Sequence, residues 1–172
     1  VAIDTGYADR LHAFPGILLQ KNGHDNEHSI EVQLPFLQHI YSHDFRIVPI
    51  SLGSQDSETI EQLATALQET WEEKNLIIAS SDLSHFYDYD KAMLMDSTFS
   101  SLLESGDIDG LWRAINEHRI EACGFGGVLT LLQVLNSWQE QNIEILKLAN
   151  SAEASGDRDR VVGYLSAVVQ GR

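Results

Sequence analysis

The feature that most constrains this chain is an alternation of two hydrophobic periods. Short apolar runs bounded by Gly, Pro and Ser read as strands. Between them lie longer segments in which apolar residues recur every three to four positions, the spacing of one helix face. Ile30, Leu34, Leu37 and Tyr41 predict a helix over 29–42, with Pro35 kinking it or delaying its start. Residues 46–51 (RIVPIS) read as a buried strand ending before Gly53. Ile60, Leu63, Ala64, Leu67 and Trp71 then predict an amphipathic helix capped by Asp56 or Ser57. Residues 76–80 (LIIAS) read as a second buried strand. One helix follows through Ala92, Met95, Phe99 and Leu102, closed by Gly106, and another through Ile108, Leu111, Trp112 and Ile115. Val128, Leu131, Leu132, Leu135 and Trp138 mark a further helix. Two strands, 143–149 and 161–169, close the pattern across a polar loop at 150–160. With no helix between them they are expected to be antiparallel or at a sheet edge. The expectation is an α/β fold, a mixed sheet with helices on its faces. No repeat or Pro/Gly/Ser-rich linker interrupts it, so residues 1–172 read as a single domain.

Charge bears on partners rather than on fold. The 172 residues carry 26 Asp and Glu against 11 Lys and Arg, a formal charge of −15. Such a chain repels phosphate backbones and anionic lipid, which argues against nucleic-acid or membrane binding. No apolar run approaches the ~20 residues needed to span a bilayer. A single cysteine, Cys123, excludes an intrachain disulfide and suits a reducing cytoplasm. The chain opens on Val-Ala-Ile-Asp, so its natural start is expected to lie upstream or to have been removed.

Three places hold residues able to do chemistry. Asp82 and His85 follow the 76–80 run directly, where α/β sheets collect functional groups at the carboxyl edge of their strands. A carboxylate beside an imidazole can fix its tautomer or raise its basicity; the plainer alternative is a turn cap and a surface histidine. His28 opens the first long helix after His24, Asp25 and Asn26, a run dense in donors, and is either a metal ligand or a surface residue beside a solvated acidic loop. Cys123 stands just before a helix among Gly124, Gly126 and Gly127. The free N–H groups of a helix start favour thiolate, which can bind a metal or attack a substrate. A cysteine can equally serve as a small buried hydrophobe. His12, His39, His43 and His118 read as ordinary surface residues, and Gly124-Phe125-Gly126-Gly127 lacks the spacing of a dinucleotide fingerprint.

The string Glu27-His28-Ser29-Ile30-Glu31-Val32-Gln33-Leu34-Pro35-Phe36-Leu37, followed in order by Ser80-Ser81-Asp82-Leu83-Ser84-His85 and Cys123-Gly124, resembles the Memo family. Its bacterial and archaeal members are called AmmeMemoRadiSam system protein B. The closing Asp159-Arg160-Val161-Val162-Gly163-Tyr164-Leu165-Ser166 resembles that family's end, so the resemblance spans essentially the whole chain. It implies a three-layer mixed sheet with helices on both faces, similar to the class III extradiol ring-cleaving dioxygenases. It also implies a metal held by two histidines and a cysteine. By motif His28 and Cys123 are ligands, Asp82 and His85 are their neighbours, and the second ligand histidine belongs to an upstream segment that the chain does not contain. About a third or more of the family's usual length is then absent at the amino end. A sheet without its first strands, low metal occupancy and an apolar surface covered by a second copy are expected in consequence.

Three functions remain open on this reading. The first is a metal-binding protein of redox, dioxygenase-like type, using non-haem iron or copper, with Asp82, His85 and Cys123 as catalytic residues and an unknown substrate. The second is a non-catalytic adaptor for peptides or phosphopeptides, although Arg10, Lys21, Arg113 and Arg119 are too scattered to form a basic pocket. The third is a hydrolase with Cys123 attacking, His85 as base and Asp82 orienting it.

Overall fold

A computed structural model describes residues 1–20, 28–138 and 141–171. Lys21, His24, Asp25, Asn26 and Glu27, which entered the reading above, lie outside the described residues. The chain is mixed α/β and forms two compact units, Val1–Ser80 and Ser81–Arg172.

In the first unit β1 (Ala2–Ile3) pairs in parallel with β2 (Arg46–Ile47). Helix α1 (Thr5–His12) leads from β1, and α3 (Ser57–Thr70) packs beside it. Both helices begin on an aspartate that satisfies a backbone donor of the first turn. Asp4 accepts from the Tyr7 N–H at 2.9 Å and Asp56 from the Thr59 N–H at 2.8 Å. The apolar stripe of α3 is buried as its spacing predicts, at Ile60, Leu63, Ala64, Ala66 and Leu67. The helix predicted over 29–42 starts late. A 3₁₀ turn (Glu31–Gln33) leads into α2 (Leu34–Ile40), with Pro35 in the first turn, where its missing N–H costs no helical bond.

Both buried strands expected in this unit need correction. Only Arg46 and Ile47 of the 46–51 run enter a ladder, and Ile50 is exposed. Pro49 has no N–H to give a neighbouring strand. Among the described residues no ladder includes 76–80, and Leu76 and Ile78 are exposed. An apolar run becomes a strand only when a neighbour accepts its hydrogen bonds, and the run itself does not reveal that neighbour.

The second unit follows expectation more closely. Helix α4 (Tyr89–Glu104) is capped by Asp88, which accepts from the Lys91 N–H at 3.0 Å, and it ends before Gly106 at φ 65°. Helix α5 (Ile108–Asn116) is capped by Asp107 in the same way. Helix α6 (Phe125–Leu135) has Phe125 edge-on to Trp112 of α5, 5.2 Å between centroids. Strands β4 (Gln141–Asn150) and β5 (Val161–Gly171) form an antiparallel hairpin, its loop carrying the short helix α7 (Ala152–Ser155). A third strand, β3 (His85–Tyr87), pairs antiparallel with β5, giving the order β3-β5-β4. The mixed α/β class is therefore observed, with its described strands in a two-stranded parallel sheet and a three-stranded antiparallel one. No described helix is long and apolar enough to cross a membrane.

Candidate functional site

Asp82, His85 and Cys123, distant in sequence, come together in the second unit. The segment 81–85 connects them. Asp82 and Cys123 bond reciprocally, the Asp82 N–H donating to the Cys123 sulfur at 3.2 Å and the Cys123 N–H to the Asp82 carbonyl at 3.2 Å. Ser81 secures the same junction. Its hydroxyl accepts from the Gly124 N–H at 2.8 Å, donates to the Asp82 carbonyl at 2.7 Å, and lies 3.8 Å from the Cys123 sulfur. Gly124 is the N-cap of α6, so the exposed sulfur stands beside a helix start, with a backbone N–H directed at it.

His85 opens β3 instead of lying past a strand edge, which corrects the sequence reading. Its placement depends on a bulge. His85 pairs with Val162 and Tyr87 with Val161, which leaves Phe86 unmatched at φ 63°. Such bulges twist a strand and re-aim the side chain beside them. The His85 ring then lies between two carboxylates, Nε2 3.8 Å from Asp82 Oδ2 and Nδ1 3.5 Å from Glu121 Oε1. These separations are too long for direct hydrogen bonds, so the ring is flanked by the two carboxylates without being bonded to them.

Glu121 is a site residue that the sequence reading missed. Besides facing His85 it acts on Tyr87, whose hydroxyl it holds above the ordinary tyrosine pKa, mainly through its negative charge and then through burial of the ring. A glutamate two residues before the cysteine was a visible signal, but nothing local connects it to a histidine 36 residues earlier. Ser81 stood within the quoted motif, but the sequence reading gave it no role.

His28 belongs to the first unit. Its side chain is exposed, and Nδ1 lies 2.6 Å from Glu31 Oε1, one turn ahead. A carboxylate accepting from one ring nitrogen leaves the lone pair of the other to face a metal, the arrangement common among metal-binding histidines.

Residues 1–168 match the family described as Memo-like protein. The chain belongs to the Memo family. It is 38% identical to a MEMO1 family protein of Methanosarcina mazei over 86% of its length and 57% of that relative's. With one of Methanobrevibacter smithii it shares 38% identity over 98% of its length and 61% of the relative's. With one of Sulfolobus acidocaldarius the identity is 36%, over 86% and 53%. The chain thus spans under two thirds of the length of these Memo relatives.

Imidazole and thiolate are donor types that bind iron, copper and zinc, so His28 and Cys123 fit a metal in kind. They do not complete a site: among the described residues no group of three or more His, Cys, Asp and Glu is placed to hold an ion.

Proposed function

We propose that the whole protein of which this chain is part binds iron or copper and has redox, dioxygenase-like activity. In this reading His28 and Cys123 are ligands, joined by a histidine from outside the chain. The observation that carries it is the Asp82–Cys123 junction, in which a backbone N–H donates to an exposed sulfur while a histidine flanked by two carboxylates stands beside it. Glu31 orients His28. The Asp82 N–H stabilises negative charge on Cys123, and His85 holds or passes a proton on the Asp82 side through Nε2. Iron or copper, when bound, supplies the redox chemistry. The substrate belongs to whatever pathway the AmmeMemoRadiSam proteins share.

A Cys-His-Asp hydrolase draws less support, because each ring nitrogen of His85 lies within 4 Å of a carboxylate, Nε2 of Asp82 and Nδ1 of Glu121. Metal content decides between these readings. The protein, both at the length of its relatives and as the 172-residue chain, is reconstituted anaerobically with Fe(II) or Cu(I) and assayed by elemental analysis. The long form is expected to hold stoichiometric metal, and Cys123→Ser to weaken binding at least about tenfold. Unchanged affinity and stoichiometry in the Ser variant would remove Cys123 as a ligand.

A further inference from the structure

Helix α4 carries an acid where its pattern calls for an apolar residue. Ala92, Met95, Phe99 and Leu103 make up the buried stripe, and Asp96 lies on it, one turn from Ala92 and from Phe99. The side chain is 1% exposed. One carboxyl oxygen, Oδ1, accepts from the Ser84 N–H at 3.1 Å, while Oδ2 and the buried Ser84 hydroxyl have no partner in hydrogen-bond geometry among the described residues. A buried carboxyl with a single backbone donor needs a structural reason to persist.

The strand opposite supplies that reason. Gly163 of β5 donates to the Ser84 carbonyl at 2.9 Å and accepts from the Leu83 N–H at 2.9 Å. Those two bonds hold the edge of the 83–84 backbone that faces β5 and leave the Ser84 N–H to a partner in the core. Asp96 is its acceptor. Gly163 also makes room for that carboxyl, since a Cβ there would strike it, Oδ2 first and then Cγ and Oδ1. Sequence neighbours of Ser84 are Asp82 two residues before and His85 directly after.

We propose that Asp96 is a positioning residue of the candidate site: its carboxyl, packed against Gly163, holds the Ser84 N–H and thereby sets the segment that presents Asp82 and His85. Burial pushes the Asp96 carboxyl above the ordinary aspartate pKa, outweighing the opposite pull of the Ser84 N–H and of the Ser84 hydroxyl beside it, so burial favours the neutral form. What the segment requires is an acceptor oxygen rather than a charge.

That distinction gives the test. Asp96→Asn keeps the volume and an acceptor oxygen, whereas Asp96→Leu is larger, suits the apolar stripe and removes the acceptor. NMR of the labelled 172-residue chain reads Ser84 amide exchange and the His85 ring ¹⁵N shifts. The expected result is a protected Ser84 amide in the parent protein and in Asp96→Asn, with coincident His85 signals. In Asp96→Leu the amide exchanges at least about tenfold faster and the His85 signals move, while β4–β5 amides stay protected. An unprotected Ser84 amide in the parent protein overturns the proposal, whether or not the Leu variant folds. So does an Asp96→Leu protein with parental Ser84 and His85 signals. The importance of this role rests on the reading of Asp82 and His85 as working residues. The NMR readouts need neither metal nor turnover, so a negative metal titration would defeat that reading and leave the role of Asp96 to the amide.

Discussion

Phe86 offers the sharpest test of how the site is built. Its φ of 63° lies in the left-handed region, which costs a residue with a Cβ roughly 1–2 kcal/mol. The ring is 61% exposed, beside the His85 ring and 4.9 Å below the Arg160 guanidinium. Phe86→Ala and Phe86→Gly lose the same ring. Its covered part, of the order of 80 Å2, contributes about 2 kcal/mol, and the Arg160 contact about 0.5 kcal/mol. The two variants differ only by a Cβ at positive φ. Glycine escapes the roughly 1–2 kcal/mol of strain and loses about 0.5–1 kcal/mol to its freer unfolded chain. The Gly variant is therefore expected to be more stable than the Ala variant by about 0.5–1 kcal/mol. In an ordinary strand the order is the reverse by a similar amount, so the sign decides the matter. Urea unfolding followed by far-UV circular dichroism measures it, and a difference of this size corresponds to roughly 1–4 °C in Tm for a chain of this length. An Ala variant as stable as the Gly variant, or more so, would show that Phe86 is not strained and that the bulge does not aim His85.

Two further predictions concern ionisation. Because Glu121 raises the Tyr87 pKa chiefly by its charge, Glu121→Gln should lower it, seen as an earlier Tyr87 Cζ transition in a ¹³C NMR titration; an unmoved transition would refute the contact. Asp96 has a folded-state pKa above its ordinary value of 3.8, so the folded protein binds the extra proton. The stability that proton confers is fully present below the unfolded pKa and is lost as pH rises through the folded one. Asp96→Asn should flatten the fall in unfolding free energy above about pH 4, by about 1.4 kcal/mol for each unit of difference between the two states, and an identical slope in both proteins would refute it.

Legibility in the sequence followed the range of the interactions involved. Helices α3, α4, α5 and α6 could be read because their determinants are local: an apolar stripe within one segment, an aspartate one residue ahead of α3, and a glycine past the end of α4. The β4–β5 hairpin was legible for the same reason, as two strands with nothing but a loop between them. The 46–51 and 76–80 runs failed because apolar composition marks a segment as fit for a sheet without showing which strand will pair with it. Glu121 and Asp96 failed differently. Glu121 acts on residues 34 and 36 positions away, and Asp96 interrupts a helix stripe otherwise correctly read, where a lone acid among Ala92, Met95 and Phe99 was the available clue.

The segment 81–85 explains why motif and mechanism coincide here. Only its last residue has secondary structure, yet each of its five residues is bonded across the fold. Ser81 and Asp82 grip the start of α6 at Gly124 and Cys123. Leu83 and Ser84 bond to Gly163 of β5, Ser84 also bonds to Asp96 of α4, and His85 pairs with Val162. Most of these bonds use the backbone of the segment, so its path depends on partners elsewhere more than on its own side chains. The side chains of Asp82 and His85 are thereby freed from structural duty, and both reach the surface, the Asp82 side chain half-exposed and that of His85 a quarter exposed. A segment that needed those side chains to hold its shape would have buried them. Substitutions at Asp82 and His85 should therefore affect chemistry before stability, whereas substitutions at Ser81, Asp96 and Gly163 should affect both.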